Sequence, residues 1–451
     1  MTRAGSLGLL ALAFTACGGG REIIEAAPQP QPPAPGSPLA KGKIQHIVIV
    51  IQENRSLNNL FYDYPGAKTV EYGRDLSGSS IKLKPIGLET TWDIDHSSTS
   101  FFAACNGTGS IPGTNCRMNG FNREMHYCGR SSEPPCPIKY PPYAYVPHSE
   151  TKPYFAMANQ YVLADQMYTS NFDASSFVSH QYIIAGQSES ALDYPDGPWG
   201  CPGGSGDTIT EVGPRRKIPD GSEVACWDAK TLGDELDAAK ISWAYYAASY
   251  SGNLGMWDAY QVIKHIYYGR HWRQNMRTPP SQFLNDVAAG RLRAVTWVTP
   301  TCGNSDHGGC GSKTGPAWVA SLVNAVGQSK YWKSSAIFVF WDDYGGWYDS
   351  EAPAYVDYDG LGIRVPLLII SPYAKKGYVS HVHYEHGSIL KFVEDQLGLD
   401  RLSVSDRRAS SPERDCFDFN QSPRKFQVIP SALGEQYFLH QPLDIRIPDP
   451  Q

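Results

Sequence analysis

Residues 336–346 read AIFVFWDDYGG: six apolar residues without alternation, then two adjacent aspartates and a glycine pair. A run that does not alternate marks a strand buried on both faces, and such strands belong to parallel sheets covered by helices. Three further runs share this grammar. HIVIVI at 46–51 leads into Gln52-Glu53-Asn54-Arg55-Ser56, and AVTWVTP at 294–300 leads into Asn304-Ser305-Asp306-His307. VPLLIIS at 365–371 precedes a histidine-rich stretch from His381 to His386. In open α/β sheets, ligands bind just beyond the carboxyl ends of the strands. Carboxylates, an amide and histidines all fall where that rule puts a site.

With 451 residues the chain has room for one large α/β domain or two smaller ones, and its net charge of -6 comes with no basic block to mark a nucleic-acid surface. Aromatic residues make up 12% of it, which suits a packed, loop-rich exported protein better than a disordered one. Arg3 is the only charged side chain before an apolar stretch at 7–14, the layout of a signal peptide too short to span a membrane. Phe14-Thr15-Ala16-Cys17 is similar to a bacterial lipobox, so residues 1–17 are expected to be a signal peptide whose cleavage leaves Cys17 for lipidation. An ordinary secretion signal is the alternative. A Gly/Pro-rich tether is expected at 18–42 and the folded domain at 43–451. The expected location is a lipoprotein of the cell envelope, joined to the membrane by an N-terminal lipid anchor, or otherwise the periplasm or the medium.

Export permits disulfides, and Cys105/Cys116, Cys128/Cys136, Cys201/Cys226 and Cys302/Cys310 are neighbour pairs that leave Cys416 over. Connectivity does not follow from spacing; the competing zinc reading lacks paired C-x-x-C motifs. Helical pieces are expected at 321–326, at 390–397 and at 281–289, the last with Ser281 as cap and Gly290 as stop. Residues 106–147 and 200–226 read as loop-rich insertions, and 401–451 as an irregular wrap.

Asp342 and Asp343 repel one another unless they share a cation or a proton, and a hard divalent metal with oxygen ligands relieves that repulsion. The bland alternative is a solvated turn at the end of a strand. Glu53 and Asn54 offer two more oxygen donors; equally, Asn54 or Ser56 could cap a helix. Ser175 and Ser176 precede an apolar helix-like segment at 177–185, where capping is the default role of a serine. The functional role is a nucleophile whose alkoxide is stabilised by a metal and by the helix dipole. No G-x-S-x-G elbow stands there, against an α/β-hydrolase. His96 and the pair Asp306-His307 are candidate phosphate or proton partners. His386 either contacts substrate or holds the start of the helix that follows it.

Together these strings resemble the bacterial phosphoesterase family that contains phospholipases C of the non-zinc type and the related acid phosphatases. The matching strings are Gln52 to Ser56, Ser305-Asp306-His307, Trp341 to Asp349, Arg364-Val365-Pro366-Leu367, Tyr378 to His381, and Glu385-His386. The resemblance implies an α/β fold, with an alkaline-phosphatase-like, mostly parallel central sheet flanked by helices and carrying loop-rich insertions. It implies one divalent metal ion on Glu53, Asn54, Asp342 and Asp343, touched also by Ser176 as nucleophile. His96, Asp306 and His307 would surround the phosphate and the leaving group. The substrates implied are small phosphorylated molecules cleaved by an acid phosphatase, with a phospholipase C or a non-catalytic surface lipoprotein of the same fold as alternatives. Two departures stand out: Ser350 occupies a position where relatives commonly have histidine, and Phe177-Val178-Ser179-His180 replaces a Pro-Asn-Arg type of sequence. Ser175 is the alternative nucleophile; spacing to His180 favours Ser176. A sulfatase would need a C-x-P-x-R string, which is absent.

Overall fold

The computed structural model describes residue 1 and residues 42–129, 134–249 and 255–447. The signal peptide apart from Met1, the lipobox and nearly all of the tether lie outside them. Among the described residues, nine strands form one sheet. In chain order they are β1 (His46–Gln52), β2 (Val162–Tyr168), β3 (Trp243–Tyr246), β4 (Met276–Arg277), β5 (Val295–Val298), β6 (Ser335–Trp341), β7 (Arg364–Ile370), β8 (Tyr378–Ser380) and β9 (Tyr384–Glu385). Their spatial order is β4-β3-β5-β1-β6-β7-β2-β8, with β9 also on β2.

The apolar runs at 46–51, 294–300 and 336–341 are strands paired in parallel, as their lack of alternation predicts. The run at 365–371 is a correction: β7 lies antiparallel to both β6 and β2. Burial on both faces imposes the same continuous apolar pattern whichever way a strand runs. All seven residues of β6 and of β7 are buried. Each such Val, Ile, Leu or Phe contributes about 1.5–3 kcal/mol.

The helices that cover the sheet include α1 (His148–Gln160), α2 (Ser176–Ala185), α3 (Gln282–Ala288), α4 (Gly315–Gln328) and α5 (His386–Leu397). α4 packs on α1 and α3, and α2 on α5. The helical pieces read from sequence lie in α3, α4 and α5. Ser281 is the N-cap residue of α3 but makes no capping bond with its side chain, and Gly290 follows the helix at φ +73°.

All four cysteine pairs are disulfides, and Cys416 is a buried thiol. His126 Nδ1 lies 3.6 Å from both sulfurs of Cys128–Cys136, but joined sulfurs have no thiolate to give a metal. The insertion at 200–226 is more ordered than its composition suggests. Thr208–Gly213 and Lys217–Val224 pair as an antiparallel hairpin, extended by Ala191–Leu192. The 401–447 region carries short helices at Val404–Arg408, Glu413–Cys416 and Glu435–His440.

The string from Trp341 to Asp349 and the one at Arg364 meet inside the protein. Arg364 Nε donates to Asp349 Oδ1 at 3.0 Å and Nη2 to Oδ2 at 3.2 Å, with both residues fully buried. The remaining guanidinium donors reach the carbonyls of Asp165 and Lys68. Removing one partner of such a pair strands a buried charge. Asp349→Ala is therefore expected to cost about 3–5 kcal/mol in urea unfolding; a loss below about 1 kcal/mol would show that the pair does not hold the β6–β7 connection.

Candidate active site

Parallel pairing sets the site. Gln52 stands opposite Trp341 in the β1–β6 register, so Glu53 and Asp342 leave the sheet side by side. The polar segments that follow β1, β2, β5, β6 and β9 all lie at the same edge, because those strands run in one direction.

The backbone that follows β1 is unusual. Asn54 has φ +57°, a conformation that Asn tolerates better than most residues. Gly345 and Gly346 also have positive φ, at +60° and +72°. A Cβ at Gly345 would lie 2.2 Å from the Asn54 carbonyl oxygen, and one at Gly346 would lie 2.3 Å from Ile94 Cγ2. The glycine pair thus lets the turn after β6 close on Asn54 and on the segment that carries His96. Ser56 caps the helical turn Leu57–Leu60, accepting from Asn59 N–H.

Ser176 is the first residue of α2, and His180, one turn later, shares its face. Ser176 Oγ lies 3.5 Å from Asn54 Oδ1 and 3.4 Å from Asp343 Oδ2. Ser175 occupies the N-cap position without capping; its hydroxyl donates to Asp173 Oδ2 at 3.0 Å. His180 Nε2 lies 3.1 Å from Glu53 Oε1 and 3.6 Å from Asp342 Oδ2. Burial holds the His180 pKa below its ordinary value, so the ring is neutral at neutral pH.

Asn54 reports on what the oxygen cluster needs. Its Oδ1 faces Glu53 Oε2 and Asp342 Oδ1 at 3.2 Å each, oxygen against oxygen, while Nδ2 faces His96 Nε2 at 2.8 Å and His307 Nε2 at 3.1 Å. Rotating the amide would give both ends hydrogen bonds. A cation among the three oxygens satisfies the first end without rotation. The imidazoles agree with the unrotated amide. His96 Nδ1 is bonded to the Ile94 carbonyl at 2.8 Å and His307 Nδ1 to that of Gly308, so each ring carries a proton on Nδ1, and in the tautomer with that proton alone Nε2 is an acceptor. The two amide hydrogens then serve two rings. Among the described residues, Asp342 Oδ2 makes no hydrogen bond, which suits a cation.

Glu53, His180 and Asp342 form a buried group with ligand atoms within 4.8 Å of one another. With the oxygens of Asn54 and Asp343 close by, the donor set fits a hard divalent cation. The hydrogen bonds of Arg55 go elsewhere. Its guanidinium lies over Trp347 and donates to the Asp306 carbonyl, Asn59 Oδ1 and the Leu88 carbonyl.

In the sequence the spacing to His180 serves only to choose Ser176; that His180 joins the cluster with Glu53 and Asp342 is seen in the structure. The structure brings together Glu53, Asn54, Ser176, Asp342, Asp343, His96 and His307. The Asp306 carboxylate is engaged elsewhere: Oδ2 accepts from Tyr154 Oη at 2.7 Å and from Trp341 Nε1 at 3.1 Å. His386 is buried at the start of α5 against Phe340, with its pKa lowered to about 4 by burial.

A family model described as the Phosphoesterase family matches residues 44–400. Hemolytic phospholipase C of Pseudomonas aeruginosa is 23% identical, over 87% of this chain and 58% of that protein. Non-hemolytic phospholipase C of Burkholderia pseudomallei is also 23% identical, over 87% of this chain and 61% of that protein. The chain thus spans about three fifths of the length of these relatives. Among solved structures, a protein in the alkaline phosphatase superfamily from Vibrio parahaemolyticus aligns at 11% identity and TM-score 0.38, over 81% of this chain and 69% of that one.

Gly345→Ala is expected to push Asn54 and Asp343 apart and lower affinity for a divalent cation at least about tenfold, since the Cβ would meet backbone rather than a flexible side chain; calorimetric titration with Mg²⁺, Mn²⁺ and Ca²⁺ measures it. Burial raises the Asp306 carboxyl from 3.8 to about 6, so the folded state holds this proton more tightly than the unfolded chain. Its contribution to stability is complete below pH 3.8 and is lost as the pH rises through about 6. Against Asp306→Asn, wild-type stability should therefore fall across that window; a flat difference in thermal melts would contradict the shift.

Proposed function

The chain belongs to the Phosphoesterase family, and on that premise we propose that it is an exported metal-dependent phosphoesterase, chiefly an acid phosphatase acting on small phosphomonoesters through a phosphoserine. The observation that carries this reading is the position of Ser176 Oγ, at a helix start and within 3.5 Å of Asn54 and Asp343.

Ser176 Oγ gives up its proton to solvent and forms the bond to phosphorus as the bond to the leaving oxygen breaks. Water then cleaves the phosphoserine and releases phosphate. Glu53, Asn54, Asp342, Asp343 and Ser176 would hold one divalent ion, with His180 beside them as a nitrogen donor or as a hydrogen-bond donor to the carboxylates. When bound, that ion supplies positive charge that lowers the cost of the serine alkoxide and of charge on the phosphoryl oxygens. His96 and His307 meet at Asn54; at mildly acidic pH one of them takes up a second proton on Nε2, in place of the amide bond it accepts as a neutral ring, and gives it to the leaving oxygen. Asp306 fixes the loop that presents His307, and His386 packs against Phe340 at the start of α5.

Phospholipase C activity is the second reading, favoured by the printed names of the relatives. Against it, 171–179 and 188–198 mix polar residues with aromatics, and the insertion at 106–147 has no long exposed apolar run. A lipid diester needs an apolar platform; a monoester needs polar partners for its oxygens. A non-catalytic lipoprotein of this fold would have no need to keep Glu53, Asn54, Asp342 and Asp343, all of which are present. Four disulfides support export, and lipidation of Cys17 is part of the same proposal. Among the described residues, no helix is long and apolar enough to cross a membrane.

A panel of an aryl phosphate, a phosphodiester and phosphatidylcholine, each with and without chelator, tests the proposal. The aryl phosphate should give the highest kcat/KM, best at mildly acidic pH where a histidine stays protonated. Chelation, Ser176→Ala and Asp342→Asn should each abolish turnover, and Ser175→Ala should retain most of it. A higher kcat/KM on phosphatidylcholine in the same buffer would turn the reading to phospholipase C.

A further inference from the structure

We propose that Asp444 and Arg446 are positioning residues. They clasp the loop that presents His307, in parallel with the Cys302–Cys310 disulfide, and keep its imidazole aligned for donation to the leaving oxygen. The inference rests on the phosphoesterase reading and gives a role to the C-terminal wrap, which no motif marks. The loop is closed covalently at 302 and 310, with Asn304, Asp306 and His307 between the cysteines. The same two ends are joined a second time from outside. Asp444 Oδ2 accepts from the Gly303 N–H, and Arg446 Nη1 donates to the Cys310 carbonyl. A two-pronged ion pair completes the bridge, Nε to Oδ1 and Nη2 to Oδ2, each at 2.9 Å. Beside it, Gln441 Oε1 accepts from Asn304 Nδ2 at 2.9 Å. These partners stand 136 to 141 residues further along the chain.

The two halves of the loop are held differently. Gln52 bonds to the Asn304 carbonyl and the Asp306 N–H, and Arg55, Tyr154 and Trp341 bond to Asp306. Those bonds end at Asp306. Beyond it the chain runs through Gly308 and Gly309, the latter at φ +82°, and the Gly308 carbonyl is the group that orients His307 Nδ1. The disulfide and Arg446 both grip this half at Cys310. Ser305 Oγ and Ser312 Oγ donate to the Cys302 and Gly303 carbonyls at 2.9 and 2.6 Å, but these bonds tie the loop region to itself. The clasp ties it to the helix Glu435–His440, which packs on α3 and α4 and buries Phe438. The Asp444 side chain is 12% exposed against 51% for Arg446, so the carboxylate is the sheltered pivot of the pair. A bidentate, charge-assisted pair fixes direction as well as distance. Gly303 matches it: a Cβ there would lie 2.7 Å from Arg446 Nη2 and 2.8 Å from Asp444 Oδ2. Two links across one gap back each other up. Losing either leaves the other, and losing both lets the Gly308 carbonyl and the imidazole drift.

The test uses the full chain loaded with the divalent cation that best supports the wild type. The variants are Arg446→Ala, Gly303→Ala, the disulfide-free Cys302→Ser/Cys310→Ser, and that double variant combined with Arg446→Ala or with Arg446→Lys. Turnover is measured on glycerol phosphate, whose alkoxide needs a proton as it leaves, and on p-nitrophenyl phosphate, whose phenolate leaves with little help. Arg446→Ala, Gly303→Ala and loss of the disulfide should each lower kcat on glycerol phosphate about threefold. Arg446→Ala without the disulfide should lower it about 30-fold or more, well beyond the product of the single effects. On p-nitrophenyl phosphate kcat should fall less than about threefold throughout, with KM and metal content unchanged. Arg446→Lys keeps a donor for the Cys310 carbonyl and should bring the disulfide-free protein back to within about threefold of its Arg446 form. Effects that merely multiply overturn the proposal. So do equal losses on both esters, which would mark a general loosening of the fold, and a lysine that rescues nothing. Should the combined variant fail to fold, hydrogen exchange of the amides at 307–310 decides. Exchange about tenfold faster than wild type in Arg446→Ala and in the disulfide-free protein supports the paired links; wild-type exchange in Arg446→Ala overturns them. A wild type inert toward both esters would remove the phosphoesterase reading and this inference with it, whereas an active wild type whose variants combine multiplicatively removes this inference alone.

Discussion

The parallel pairing of β1 with β6 is the constraint on which the site depends. It sets Gln52 level with Trp341, so two acidic segments emerge together at the centre of a sheet buried on both faces. Carboxylates gathered there repel one another in a medium of low dielectric, and desolvation adds to the cost. The arrangement is tolerable when a cation or a set of hydrogen-bond donors compensates. The left-handed backbone of Asn54 and the glycine turn at 345–346 are local concessions to this packing, since each brings polar backbone or amide groups closer than an ordinary strand end would.

Around that centre, polar residues act in layers. Arg55, Tyr154 and Trp341 bond to the Asp306 backbone or carboxylate and fix the loop that carries His307. Asp173, Asp193 and Ser98 join the loops of Ser176, Tyr194 and His96. Arg364 and Asp349 lock the connection from β6 to β7. The strings that carry the family resemblance therefore serve two ends: Glu53, Asn54, Asp342 and Asp343 face the site, while Arg55, Asp349 and Arg364 build the frame.

Much of this was legible in the sequence. Unbroken apolar runs identify doubly buried strands, and the polar residues just after them identify the edge where the site lies, because both features are local. Neighbouring cysteines found their partners, since a short loop keeps its ends close. Strand direction was not legible for β7, because side-chain burial is indifferent to the hydrogen-bonding pattern. The hairpin at 208–224 was hidden as well. Its second strand is largely exposed and contains Pro219 and Gly221, so it lacks the apolar alternation that would signal a strand.

The sequence by itself determined the buried α/β class, the edge at which acids, amide and histidines gather, and the chemical types available there. Those depend on hydrophobic period and on residue identity, both written along the chain. Only the tertiary structure decided which side chains meet. It placed His180 between Glu53 and Asp342, turned the Asp306 carboxylate to Tyr154 and Trp341, and brought Tyr194 to the start of the nucleophile's helix. Those contacts join segments far apart in the chain. Their geometry is set by strand register and helix packing, which no local pattern encodes.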